Sequence, residues 1–399
     1  MKVPFYLPDI TEAEVKRVSE VLRSGWITTG PVTKQFEKDI SSYCGVTRTA
    51  CVNSATAAME LSLRILGVGA GDEVITSAYT YSASASVIRH TGARVVLADS
   101  SDGGVSIDPK EIAKKITGRT KAVIPVDIAG IPADYSEIFA VLEEKKNIFS
   151  ADSDIQQQIG RIAVISDSAH AFGAEYKGKN IAQWADLACF SFHATKNLTT
   201  AEGGCVCFDD IGDISADEIY LRFMLFSLHG QDKDALAKTA GGGWEYDILL
   251  PAYKCNMPDV LAAIGASQLE RYEAMLRKRR SIFTIYDEYF MSTSVKPLRQ
   301  ITEDYTGSYH LYVAELTGAR REKRDSIISE MQKRGVSLNV HFIPLPLFTA
   351  YRDLGFKVED YPNAVSFFNS TVSLPLFDSM TGEQVEYVAR LLLELLGEL

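Results

Sequence analysis

Four short runs rich in valine and isoleucine, "DEVITSA" (72–78), "ARVVLAD" (93–99), "KAVIPVD" (121–127) and "RIAVISD" (161–167), lack the polar alternation of a strand with one wet face. Such strands are covered on both faces, and the cover for a parallel sheet is helical. The intervening stretches have helical spacing: "SASASVIRHTG" (82–92), "DPKEIAKKIT" (108–117) and "SEIFAVLEEKK" (136–146), with "SATAAMELSLRILG" (54–67) ahead of the first strand. Two more helices open the chain. In "TEAEVKRVSEVLRSG" (11–25), Thr11 and Glu14 form a capping box and Gly25 ends the helix; "VTKQFEKDISSYCG" (32–45) follows. The expected fold class is α/β, a mostly parallel sheet flanked by helices.

The rhythm breaks twice. Residues 144–160, "EKKNIFSADSDIQQQIG", are polar and read as a surface insertion. From residue 258 one long helix (258–290) leads into strands "YHLYVAEL" (309–316) and "VSLNVHFIP" (336–344) and helices at 321–335 and 382–396. The chain therefore divides into a large α/β domain, 1–257, and a linker helix with a small α+β domain, 258–399.

Composition excludes several functions. The 399 residues carry a formal net charge of −11, against a nucleic-acid or anionic-membrane partner, which requires basic surface. No run of about 18 apolar residues is present to span a membrane. The start, "MKVPFYLPDITEAEVKR", lacks the basic, apolar and small-residue zones of a secretory leader, so the expected location is cytoplasmic. Six cysteines without C-x-x-C spacing read as free thiols, and the histidines show no metal-ligand spacing, so no metal is expected.

In open parallel sheets ligands bind beyond the carboxyl ends of the strands. The polar residues there are Asn53, Ser54 and Thr56 at a helix start, Tyr79 and Tyr81 after one strand, Asp167 and His170 after another, and Ser191, His193 and Lys196 in "CFSFHATKNLTTAEGG" (189–204). Each has a plain structural alternative. Ser54 and Thr56 suit a helix cap, Tyr81 a core position, Asp167 a turn cap, His170 an interior site, and Lys196 a surface turn. "GVGAGDE" (67–73) follows a helix and precedes a strand, the reverse of a dinucleotide loop, and is a turn. Together, though, an anion cradle, an aromatic plate, an acid and a lysine match pyridoxal 5′-phosphate (PLP). Its phosphate takes helix-start amides, its ring a flat partner, its pyridine nitrogen a carboxylate and its aldehyde an amine.

"NSATAAMEL", "SAYTYSASAS", "DSAHAFGA" and "FSFHATKNLTTAEGG", with "GWITTGPVTKQFE" before them and "YKCNMPDVLAAIGASQLER" after, resemble the DegT/DnrJ/EryC1/StrS aminotransferases of nucleotide-sugar biosynthesis in order along nearly the whole chain. The lysine segment is most similar to members resembling UDP-4-amino-4-deoxy-L-arabinose–oxoglutarate aminotransferase. The resemblance implies PLP fold type I and a homodimer with shared active sites. It makes Lys196 the internal aldimine lysine, the cofactor cycling to pyridoxamine phosphate, and Asp167 the partner of the pyridine nitrogen. Tyr81 would stack on the ring and His170 lie near its phenolic oxygen or face. Ala55, Thr56 and Ser191 would hold the phosphate, and Lys254 or Asn256 would reach the partner subunit's cofactor. Trp26, Thr28, Thr29, His341 and Phe342 would touch the sugar nucleotide, UDP-linked by preference. The implied reaction moves an amino group from glutamate, leaving 2-oxoglutarate, to a keto carbon, C4 by preference, in polysaccharide or lipopolysaccharide sugar biosynthesis. Two alternatives compete: a sugar dehydratase of the same family, disfavoured because that branch carries histidine at the lysine position, and a non-catalytic cofactor-binding regulator.

Overall fold

The computed structural model describes residues 1–233 and 245–398. Helices α1 (Glu12–Ser24) and α2 (Pro31–Cys44) come first, α1 with the expected Thr11–Glu14 capping box and a left-handed Gly25 at its end. Then strands and helices alternate: β1 (Arg48–Val52), α3 (Ala55–Ile65), β2 (Glu73–Ser77), α4 (Ala83–Thr91), β3 (Arg94–Ala98), α5 (Pro109–Lys115), β4 (Thr120–Ile124), α6 (Tyr135–Glu144), α7 (Asp154–Ile159) and β5 (Ala163–Asp167). The short hairpin β6 (Glu175–Tyr176) and β7 (Lys179–Asn180) leads to β8 (Leu187–Ser191), β9 (Gly204–Phe208) and α8 (Ala216–Ser227).

These build a seven-stranded sheet in the order β1-β9-β8-β5-β4-β2-β3, parallel except that β9 runs antiparallel to both neighbours. Both faces are buried, as the unbroken apolar runs require. Ile75, Val123 and Val164 belong to the core under α2 and α6, whereas Val74, Ala122 and Ile165 belong to the core under α3 and α4.

The expected helix over 258–290 is two, α9 (Asp259–Glu270) and α10 (Tyr272–Phe290). They break at Arg271, which leaves helical geometry (φ −114°, ψ 8°) while its guanidinium binds Asp9 and Glu14. Next come β10 (Val295–Pro297), β11 (Tyr305–Thr306), β12 (Tyr312–Leu316), α11 (Arg321–Lys333), α12 (Thr349–Asp353), α13 (Pro362–Ser370), β13 (Thr371–Leu374) and α14 (Gly382–Leu396). A second sheet, β10-β12-β13, carries its own core with α10, α11 and α14. The segment 336–344 is not the strand its pattern predicts. Among the described residues it makes two isolated bridges on different partners, Val336 with Val3 and Asn339 with Ser373, before the chain turns to place His341 and Phe342 against the seven-stranded sheet. The polar stretch 144–160 is also more than a surface insertion. Ile155 is fully buried, and Ser153 and Gln156 both donate to the Leu66 carbonyl at 2.8 Å.

Candidate active site

A cavity of about 440 Å³ opens at the carboxyl ends of the parallel strands. Its lining includes Ala55, Thr56, Tyr81, Asp167, His170, Ser191, Lys196, His341 and Phe342, nine of the residues singled out from the sequence.

At one end stands the head of α3. Ser54 caps this helix by accepting from the Ala57 N–H at 3.1 Å, so its cap role is real. The N–H groups of Ala55 and Thr56 face no protein acceptor among the described residues and meet the positive end of the helix dipole, which suits an anion. Gly204 of β9 allows this approach: a Cβ there would lie 2.4 Å from the Ala55 nitrogen. Ser191 ends β8 beside it, its hydroxyl accepting from the His193 N–H at 3.3 Å.

On the floor, Asp167 ends β5 and is buried. Ser84 of α4 donates to its Oδ2 at 2.6 Å, and the Ala169 N–H reaches Oδ1 at 3.3 Å. Burial raises its pKa; these donors and the Lys196 charge pull the other way. Lys196 lies on the connection from β8 to β9. Thr199 and Thr200 pin that loop to the Phe192 carbonyl at 3.0 and 2.9 Å, and Gln268 accepts from the Thr199 N–H at 2.8 Å. Its amine makes no hydrogen bond or ion pair among the described residues. Enclosure lowers its pKa to about 8, against the raising pull of Asp167.

Three histidine rings converge on the lysine. His170 and His310 lie 4.5 Å apart, and Phe342 stacks 5.6 Å from His170. The Ala129 N–H donates to His170 Nδ1 at 3.2 Å, which leaves the ring proton on Nε2. Burial holds His170 and His310 well below the ordinary histidine range and His341 at about 4, each helped by the Lys196 charge. All three are neutral at pH 7. Tyr81 is not a core residue. It is 64% exposed at the mouth, 5.8 Å from Phe342, whereas Tyr79 is the buried one and donates to the His341 carbonyl at 2.7 Å.

Five named residues lie off the cavity. Trp26 donates to the Thr29 carbonyl at 3.2 Å, the Thr28 carbonyl accepts from the Asp259 N–H at 3.1 Å, and Thr29 donates to the Met257 carbonyl at 2.5 Å. Asn256 bonds to both Thr29 and Lys254, and Lys254 is exposed. Among the described residues this group reaches the site through the Asn53 N–H on the Cys255 carbonyl, at 2.7 Å.

Conversely, Phe5, Tyr6, Ser84, Asn197 and His310 escape the sequence reading. Asn197 adjoins the lysine and ties His310 Nδ1 (2.9 Å) to the Ser308 carbonyl (2.7 Å). Only the aromatic pair between Pro4 and Pro8 carries a local signal.

A profile of the DegT/DnrJ/EryC1/StrS aminotransferase family matches residues 8–393. The chain belongs to this family. Spr1654 of Streptococcus pneumoniae, named provisionally as a sugar aminotransferase, superposes with a TM-score of 0.96 at 48% identity over 99% of both chains in its PMP form. Its PLP form gives 0.95 at 46% identity, over 99% of this chain and 98% of that one. The spore coat polysaccharide biosynthesis protein SpsC of Bacillus subtilis is 36% identical over 97% of this chain and 95% of its own. Helicobacter pylori PseC, an aminotransferase involved in pseudoaminic acid biosynthesis, has a TM-score of 0.87 at 27% identity over the full length of both. The protein is a PLP-dependent aminotransferase of fold type I. The cavity fits the cofactor on its own terms: free helix-start donors, a buried carboxylate and an unpartnered amine share one space. No helix among the described residues is long and apolar enough to cross a membrane.

Proposed function

We propose that this aminotransferase moves an amino group from glutamate to a keto carbon, C4 by preference, of a nucleotide-linked sugar, in polysaccharide or lipopolysaccharide sugar biosynthesis. The observation that carries it is the free amine of Lys196 sharing a cavity with Asp167 and the head of α3. PLP, when bound, supplies an electron-withdrawing ring across which an amino group passes between an amino acid and a carbonyl.

The chain's own residues do the rest. Ala55, Thr56 and Ser191 hold the phosphate. Asp167 keeps a proton on the ring nitrogen, and Ser84 fixes the carboxylate that does so. Tyr81 covers one ring face, and His170 presents its Nε2–H. Lys196, with a pKa near 8, is neutral in a useful fraction of molecules and takes the proton from the donor's α-carbon. His341 and Phe342 form the acceptor side. Residues 1–257 then act as the large cofactor-holding domain and 258–399 as the smaller one, with the cavity between.

A homodimer completes the site. Trp26, Thr28, Thr29, Lys254 and Asn256 lie off their own cavity; Lys254 bridges Leu228, and Leu221, Ile248 and Leu249 are exposed, apolar surface suited to a second copy. UDP is the favoured carrier and the cytoplasm the place of action. The test is to incubate the PLP-loaded protein with glutamate and a panel of keto-sugar nucleotides, following product mass. An amino group in place of the carbonyl oxygen, with 2-oxoglutarate formed, is the expected result. Conversion of free keto acids alone would refute the sugar-nucleotide assignment.

A further inference from the structure

We infer that the amino-terminal segment is part of the active site, with Tyr6 a positioning residue for Lys196 and Phe5 an aromatic wall for the acceptor. The inference rests on Lys196 being the cofactor lysine.

Residues 3–9 are tied down at both ends. Val3, fully buried, donates to the Gly335 carbonyl at 2.8 Å and accepts from the Ser337 N–H at 3.0 Å. Gly335 (φ 86°) is required there, because a Cβ would fall 2.6 Å from the Met1 carbonyl oxygen. At the other end Arg271 donates to the Asp9 carboxylate at 2.6 Å and to its carbonyl at 2.7 Å. Pro4 and Pro8 restrict the backbone between these anchors.

Two aromatic side chains therefore meet the cavity on a braced segment. The Phe5 ring stacks on His341 at 5.5 Å, and its carbonyl accepts from the Leu376 N–H at 3.4 Å. The Tyr6 hydroxyl donates to the Lys196 carbonyl at 3.0 Å, across 190 positions of sequence. Burial pushes the Tyr6 pKa up to about 12, so the hydroxyl keeps the proton it donates. Among the described residues, the only other hydrogen bond on the Lys196 backbone is its N–H to the His193 carbonyl, at 2.9 Å. Tyr6 is thus the tether on the carbonyl side of a residue whose amine has none. It fixes the peptide from which that amine swings, without touching the amine itself.

The experiment measures PLP uptake by the apo protein, by absorbance, across pH, for wild type and Tyr6→Phe. Loss of one hydrogen bond should slow uptake on the order of threefold to tenfold. The melting temperature should stay within about 3 °C, kcat should fall in step with uptake, and KM for glutamate should hold. Phe5→Ala should raise KM for the acceptor and leave the glutamate half-reaction intact. Wild-type uptake and pH dependence in Tyr6→Phe would overturn the proposal, as would a lowered melting temperature with normal uptake, which would make Tyr6 merely structural. Borohydride trapping and peptide mass analysis of the wild type separate the two ideas. A label on a lysine other than 196 sinks the cofactor reading, whereas a label on Lys196 with Tyr6→Phe behaving as wild type sinks only this one.

Discussion

Arg279 and Lys196 are both enclosed cations, and the fold treats them in opposite ways. Arg279, 1% exposed on α10, spends every edge of its guanidinium: Nε on the Tyr309 carbonyl (2.9 Å), Nη1 on Asp378 (3.0 Å) and Nη2 on the His310 carbonyl (2.8 Å). The Lys196 amine has a cavity in front of it and no partner among the described residues. A buried charge with a complete set of acceptors is architecture; one left without them is held ready to lose its proton. The difference locates the chemistry more directly than the size of any cleft, because a hollow of about 470 Å³ along β3 contains no such unpartnered buried group.

The contrast can be attacked from both sides. Lys196→Ala should abolish turnover, a fall of at least about a thousandfold, with melting unchanged or raised. Full activity in that variant would end the case for the lysine. Arg279→Met strands Asp378 in the interior and should reduce unfolding free energy by about 3–5 kcal/mol in a denaturant titration; a loss below about 1 kcal/mol would mean the pair is idle. Asp167→Asn should keep the cofactor and lower kcat on the order of a hundredfold, with wild-type rates marking the carboxylate as structural. The smallest effect concerns acidity. Because the neutral amine is the reactive form and Lys196 titrates near pH 8, cofactor uptake should rise roughly fivefold from pH 7 to 8 and level off above it. A rate still climbing about sevenfold from pH 9 to 10 would describe an ordinary exposed lysine.

How much of this was legible in the chain follows from the range of each signal. β2, β3, β4 and β5 were readable because a strand buried on both faces carries a short apolar run without polar alternation, a local property. Asp167 and Lys196 were readable because one ends strand β5 and the other lies in the loop that follows β8, both at the sheet's carboxyl edge. The break between α9 and α10 was not, since helical periodicity runs through Arg271 and only its distant partners Asp9 and Glu14 pull it out of line. The segment around His341 misled for a similar reason: its alternation suits a strand, but tertiary contacts with Tyr79 and Phe5 claim it. Tyr81 showed the reverse, an aromatic whose exposure no pattern within ten residues could signal. His310 and Tyr6 became visible only when residues more than a hundred positions away were brought beside them.

The cavity wall is assembled from Phe5 and Tyr6 at one extreme of the chain and from His341, Phe342, Leu374 and Leu376 near the other. A nascent polypeptide still threaded through the ribosome lacks the closing pieces, however well its first 208 residues have paired into strands. The acceptor side of the pocket therefore closes later than the strands that end in Asp167 and Ser191, once residues 341–376 have been made and docked against them.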